Sequence, residues 1–281
     1  MRQFLIRLSL ILTLSSGTGG VAAAACGGLL NPCPPPPLNA DGSLRVSSPL
    51  APLPAPVAGE PLYPRGAHVQ VGFNDLARDT GKTFGNTVNV AKLTLAIGGT
   101  VTRSAIDWGK AQPSPTGGYV WQLWDDMYRG LVENGVRPLF VIAGSPRWAA
   151  SDLTACTSRN TGCTTGPQPL YVDAYAAFAA AVARRYPLAA AVEIWNEPNF
   201  HGSSKHPDPD AYATLLQRSY AAVKRARPAM RVLGGALGSG TSWESGPLEG
   251  DDIPMYDFLK AIEDAGAGDS MDGAQLPSLP C

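Results

Sequence analysis

The chain has 281 residues, 44% hydrophobic and 16% charged, and its 22 basic and 23 acidic side chains leave a net charge of −1. That balance gives no basic surface for nucleic acid, whose binding rests on neutralised phosphates, and it suits a neutral ligand such as a sugar. Length and apolar content are those of a globular chain with a sizeable core, not of a disordered or fibrous one.

In chain order, residues 1–25 form an export signal. Arg2 and Arg7 supply its positive end, and Leu8 to Leu14 are an apolar run too short to remain as a membrane span. Ala23-Ala24-Ala25 offers a small-residue cleavage site. The chain is therefore expected to be secreted or held at the cell surface. Cys26, directly after that site, raises a lipid anchor as a minor alternative, although such sites prefer Leu where Ala23 stands. Residues 26–67 follow as a Pro-rich spacer, with Pro34 to Pro37 and then Pro49, Pro52, Pro54, Pro56, Pro61 and Pro64 favouring extended, solvated backbone.

From residue 68 strand and helix signals alternate, the pattern of an α/β fold with a parallel sheet. A strand over 68–73 leads to a helix over 86–96, ended by Gly98-Gly99, and to a second strand over 100–106. Trp121, Trp124, Met127, Tyr128 and Leu131 recur at helical spacing, with Gly135 as the cap. A third strand covers 136–143. A helix over 172–186 puts Val172, Tyr175, Phe178, Ala179 and Val182 on one face and stops at Pro187. The fourth strand covers 191–195. Asp208 caps the next helix and Pro209 takes its first turn, while Tyr212, Leu215, Leu216, Tyr220 and Val223 line its buried side. A fifth strand over 230–236 and a helix over 254–265, with Tyr256, Leu259 and Ile262 inward, bring the chain to a sixth strand near Met271. A (β/α)8 barrel needs eight strands and about 250 residues. Residues 68–281 thus predict an incomplete barrel, truncated after about five βα units. The unpaired sheet edges of such a barrel predict unstable or aggregated material for residues 26–281.

Cys156 and Cys163 flank a polar, turn-rich loop, and an exported chain predicts a bridge there worth about 2 kcal/mol. Cys26 and Cys33 could form a second bridge, and Cys281 is left over. His201 and His206 have no third ligand at helical spacing, so they are expected as loop histidines, with no metal and no cofactor.

The chemistry concentrates in Val192-Glu193-Ile194-Trp195-Asn196-Glu197-Pro198. A short apolar strand runs into an Asn-Glu pair, placing a carboxylic acid and a carboxamide at a strand's carboxyl end, where barrel active sites sit. Trp195-Asn196-Glu197-Pro198 resembles the acid/base motif of the clan A retaining glycoside hydrolases built on that barrel. The flanking sequence is most similar to glycoside hydrolase family 39, of β-xylosidase and endoglycosidase type, with the cellulase-type family 5 next. Arg103 to Trp108 resembles that family's Arg-x4-Trp segment, Trp121 to Asp125 the start of the following helix, and Ser145-Pro146-Arg147-Trp148-Ala149 its Pro-x-Trp-Ala turn. The likeness spans roughly residues 68–270.

The resemblance implies a hydrolase acting on β-linked glycosides or polysaccharides by retaining double displacement. Glu197 would be the acid/base, and Asn196 would grip the sugar 2-hydroxyl. Arg103 would keep the nucleophile ionised by charge pairing. Trp108 and Trp148 would contact the sugar, with core packing as their alternative. A retaining pair needs carboxyls about 5 Å apart, and the nucleophile is a Glu on strand seven. Glu244, Glu249 and Glu263 follow Glu197, but none matches it, so the chain by itself is expected to be inactive. A non-catalytic carbohydrate-binding relative and an unstable gene fragment are the other readings.

Overall fold

The structure, a computed structural model, describes residues 37–53, 72–74, 84–156, 162–238 and 250–274. The export signal, Cys26, Cys33, Cys281, Glu244 and Glu249 lie outside the described residues.

Among the described residues, six parallel strands form one sheet in the order β1-β2-β3-β6-β7-β8. They are β1 (Gly72–Asn74), β2 (Val101–Asp107), β3 (Arg137–Ala143), β6 (Ala191–Ile194), β7 (Val232–Gly234) and β8 (Gly273–Ala274). Between them run the helices α1 (Phe84–Ala96), α3 (Gln122–Val132), α4 (Val172–Arg185), α5 (Pro209–Ala226) and α6 (Met255–Asp264). This is the βα repeat of a (β/α)8-type fold, as the alternation of signals predicts. A one-turn helix α2 (Trp108–Ala111) and a small antiparallel pair, β4 (Ser145–Pro146) with β5 (Gly162–Cys163), were not foreseen.

The register sets two faces. Arg103 pairs with Leu139 and Leu139 with Ala191, while Val141 pairs with Glu193 and Glu193 with Leu233. These residues share one face. On the other face Ile106, Phe140, Ile142, Val192, Ile194 and Val232 have no accessible surface. They meet the helix layer through Tyr128, Leu131, Phe178, Val182, Leu216 and Val223, all equally buried. Each such side chain contributes about 1.5–3 kcal/mol by leaving water. The helices begin where the sequence predicts: the Asp208 carboxylate accepts from Ala211 N at 2.9 Å, and Pro209 occupies the first turn.

One expectation is corrected. Tyr256 is 74% exposed, and α6 instead buries Phe258 and Ile262, with Met255 and Leu259 packed beside them. The 254–265 pattern fits both stripes, and contact with α5 selects one. The stretch 37–53 is mostly exposed but is held against the domain at a few points. Leu44 is buried and donates its N–H to Arg185 O at 2.8 Å, Ser48 Oγ donates to Val132 O at 2.7 Å, and Arg137 donates to Ala51 O. Proline denied this segment a strand of its own, but not a place against the domain.

Candidate active site

Strand β6 ends at Ile194, one residue earlier than the sequence suggests, because Trp195 turns left-handed. Trp195 (φ 68°) and Glu197 (φ 44°) are the two non-glycine residues with positive φ among the described residues. Each such conformation costs about 1–3 kcal/mol and persists only where surroundings enforce it. Here they do. Trp195 N donates to Ile142 O at 3.0 Å and to Tyr175 Oη at 3.1 Å, and its indole is buried with Nε1 donating to Ser203 O at 3.2 Å. Glu197 N donates to Ala236 O at 2.7 Å. Gly235 makes the close crossing feasible, since a Cβ there would lie 2.8 Å from Ile194 O. The result places the side chains of Asn196 and Glu197 together, both half-buried, at the carboxyl edge of β6.

Two buried tyrosines brace this edge. Tyr175 Oη donates to Ile142 O at 2.6 Å, and Tyr212 Oη donates to Ile194 O at 2.9 Å while accepting from Gly235 N at 2.6 Å. Burial pushes both hydroxyls well above the ordinary tyrosine range, so they stay neutral donors.

Below the edge lies a buried ion pair. Arg103 Nε donates to Glu193 Oε2 at 2.8 Å and its Nη2 to Glu193 Oε1 at 2.6 Å. Glu193 has no accessible surface and also accepts from Ala236 N at 2.8 Å. The same Nη2 donates to Asn196 Oδ1 at 2.8 Å. With Oδ1 held, Asn196 Nδ2 faces Glu197 Oε2 and Ser203 Oγ, each at 3.3 Å, and Ser203 Oγ donates to Glu197 Oε2 at 2.7 Å. Arg103, Asn196 and Glu197 are thus brought together.

Glu193 and Ser203 were missed. An acid inside an apolar β-strand needs a partner, and that signal could have found Glu193. Ser203 sits in a loop with no pattern to mark it. Arg103, expected to pair with the nucleophile, pairs here with Glu193.

The aromatic expectations divide. Trp108 has no accessible surface, so a sugar cannot reach it in this arrangement. Its ring packs on Trp148, Tyr175 and Phe178 at 5.3, 5.4 and 6.3 Å. Packing is its role, because α2 turns it under the strand ends. Trp148 is half-buried, backed by Trp108 and by Tyr171 at 5.3 Å, and its Nε1 donates to Gln112 O at 3.1 Å. Cys156 and Cys163 are joined by a disulfide, which ties β5, and through it β4, to the 3-10 turn Leu153–Ala155.

His201 Nδ1 lies 2.9 Å from Asp252 Oδ1, and His206 lies 3.5 Å from Asp152 and 3.6 Å from Asp251. No group of three or more such side chains suited to a metal occurs among the described residues. Glu263 is exposed on α6, in the helix layer. No helix among the described residues is long and apolar enough to cross a membrane.

The alternation of parallel strands and helices defines a (β/α)8-type fold, and comparison with solved structures finds that same fold. A family 39 β-xylosidase from Caulobacter crescentus matches with a TM-score of 0.53 at 20% identity, over 80% of this chain and 48% of that one. A family 39 glycoside hydrolase from Bacteroides cellulosilyticus matches at 0.50 and 21% identity, over 73% and 37%. A β-galactosidase from a psychrophilic Marinomonas matches at 0.51 and 12% identity, over 75% and 41%. The chain therefore spans less than half the length of these proteins. No protein-family model and no curated protein matches the sequence.

Proposed function

We propose that this chain carries the acid/base part of a retaining β-glycosidase of family 39 type, acting on a β-linked glycoside or polysaccharide. The observation that carries the reading is the position of Glu197 at the carboxyl edge of a parallel strand, beside an Asn196 amide whose orientation Arg103 fixes at 2.8 Å. A carboxyl there can protonate a glycosidic oxygen and then, as carboxylate, take a proton from water. Asn196 Nδ2 is the group that would grip the neighbouring sugar hydroxyl, and Trp148 would wall the site. A retaining mechanism needs a second carboxylate, about 5 Å away, as nucleophile. The basic, apolar and small-residue order of residues 1–25 and the Cys156–Cys163 bridge support export to the cell surface or beyond.

A carbohydrate-binding protein without turnover is the second reading. It is favoured by one fact: among the described residues after Glu197, the one glutamate is Glu263, on a helix. Both readings meet in one experiment. In a version completed with a nucleophile strand, Glu197→Gln lowers hydrolysis of unactivated β-disaccharides by about 10²–10⁴-fold, the usual share of general acid catalysis. Aryl glycosides with acidic phenols suffer less in the first step, and azide restores turnover on them. Unchanged disaccharide hydrolysis removes Glu197 from the mechanism. Sugar-dependent change in tryptophan fluorescence without any turnover selects the binding reading.

A further inference from the structure

Glu197 has two carboxyl oxygens, and the structure treats them differently. Oε2 accepts from Ser203 Oγ at 2.7 Å and from Asn196 Nδ2 at 3.3 Å. Ser203 Oγ itself accepts from Asn196 Nδ2, at 3.3 Å. An unbroken run of donors and acceptors therefore connects the buried Glu193, through Arg103 Nη2, Asn196 Oδ1 and Nδ2, and Ser203 Oγ, to a single oxygen of Glu197.

The loop that presents Ser203 is fixed rather than free. Ser203 O accepts from the Trp195 indole, and Ser203 N donates to Phe200 O at 3.1 Å. Phe200 fills the space over Gly202, where a Cβ would meet its ring at 2.8 Å. His201 is bound to Asp252 through its backbone N at 2.6 Å and through its ring. The far end of the loop is tied as well: Lys205 N donates to Thr164 O at 3.2 Å, and Lys205 Nζ reaches Asp152 Oδ2 at 2.9 Å. A serine held this firmly can dictate the geometry of the carboxyl it touches.

We infer that Ser203 is a positioning residue for Glu197: its hydroxyl holds Oε2 as an acceptor and thereby leaves Oε1 as the oxygen that carries and delivers the proton. The inference rests on the acid/base reading of Glu197. It adds to that reading a residue and a choice of oxygen that the Asn-Glu motif does not contain. A hydroxyl that donates to the carboxylate stabilises its charged form, and removing it leaves the charge to Asn196 Nδ2 alone.

The test uses the full chain labelled with nitrogen-15 and needs no turnover. The two Asn196 side-chain amide signals are identified by their loss in Asn196→Asp and followed through a pH series. Arg103, paired with Glu193, donates to this amide's oxygen, and His201, two residues from Ser203, is bound to Asp252. The series is therefore repeated in a His201→Asn background to remove the imidazole. The movement of the signals is expected to vanish in Glu197→Gln. In Ser203→Ala the midpoint departs from that of the parent. Ser203→Thr keeps the hydroxyl and returns the midpoint to that of the parent. A midpoint unmoved in Ser203→Ala, or moved as far in Ser203→Thr, overturns the inference. So does signal movement that survives Glu197→Gln. The glycosidase reading stands or falls separately, on disaccharide hydrolysis by Glu197→Gln.

Discussion

Among the described residues are two buried, bidentate arginine–carboxylate pairs, and they differ in what surrounds them. Arg103 meets Glu193 at 2.8 and 2.6 Å, and Arg185 meets Asp125 at 2.7 and 2.6 Å. As pairs they are nearly identical. Arg185 lies under the helix layer, with its guanidinium 5.2 Å from the centre of the Trp121 ring and Tyr186 Oη donating to Asp125 at 3.0 Å. Every partner of that pair shown here is structural. Arg103 lies on the sheet's other face and passes a donor to Asn196. Chemical type and burial therefore do not mark a functional ion pair; the next hydrogen bond does.

Breaking either pair should have the largest effect. Arg103→Ala and Arg185→Ala each leave a buried carboxylate without its counter-ion, and each should cost about 3–5 kcal/mol in chemical denaturation. Replacing whole pairs sharpens the comparison. Asp125→Leu with Arg185→Met should return most of that stability, since well-packed apolar replacements of buried pairs are often neutral or better. Glu193→Leu with Arg103→Met should likewise recover stability, yet it leaves Asn196 Oδ1 without its donor. The Asn196 amide signals should move in this second double variant and stay in place in the first. If both doubles leave them in place, the distinction between the pairs is wrong.

A smaller effect is expected at the tyrosines that brace the strand ends. Tyr212→Phe deprives Gly235 N of the acceptor at 2.6 Å, and Tyr175→Phe removes one of two acceptors from Trp195 N. The first should cost about 1–3 kcal/mol and the second less, because an unsatisfied buried donor is the larger penalty. Equal losses would mean that the shared Trp195 N–H is not satisfied by Ile142 O.

The smallest effect near neutrality, and a growing one above it, comes from pH. Burial raises Tyr128, Tyr175, Tyr186 and Tyr212 above the ordinary value of 10.0. A raised tyrosine stabilises the fold fully below the unfolded value, and the contribution is lost as pH climbs toward the folded value. Stability should thus be flat from neutrality to about pH 10 and then fall by about 1.4 kcal/mol per pH unit for each tyrosine that ionises only when unfolded. Tyr212→Phe should make the fall shallower. A slope that does not change would show that Tyr212 contributes nothing to it.

The sequence alone determined the order of elements, because apolar spacing, Asp208-Pro209 and the stops at Gly98-Gly99, Gly135 and Pro187 are local signals that tertiary contacts did not override. It also displayed the Asn196-Glu197 pair, since a strand running into a carboxamide and an acid is contiguous in the chain. It could not choose between the two apolar stripes of α6, so Tyr256 was misplaced, and it did not show where 37–53 is held against the domain, because proline pattern says nothing about docking. Glu193, Arg103, Asn196 and Ser203 come from two strands and a loop, and only the register of β2, β3 and β6 brings them within hydrogen-bond reach. The left-handed turns at Trp195 and Glu197 likewise exist only in the fold. No local preference favours them, and the backbone of Ile142, in β3, and of Ala236, just past β7, holds them in place. Trp108 shows the same limit: its residue type suits a sugar platform and a core equally, and burial beneath the strand ends decided between them.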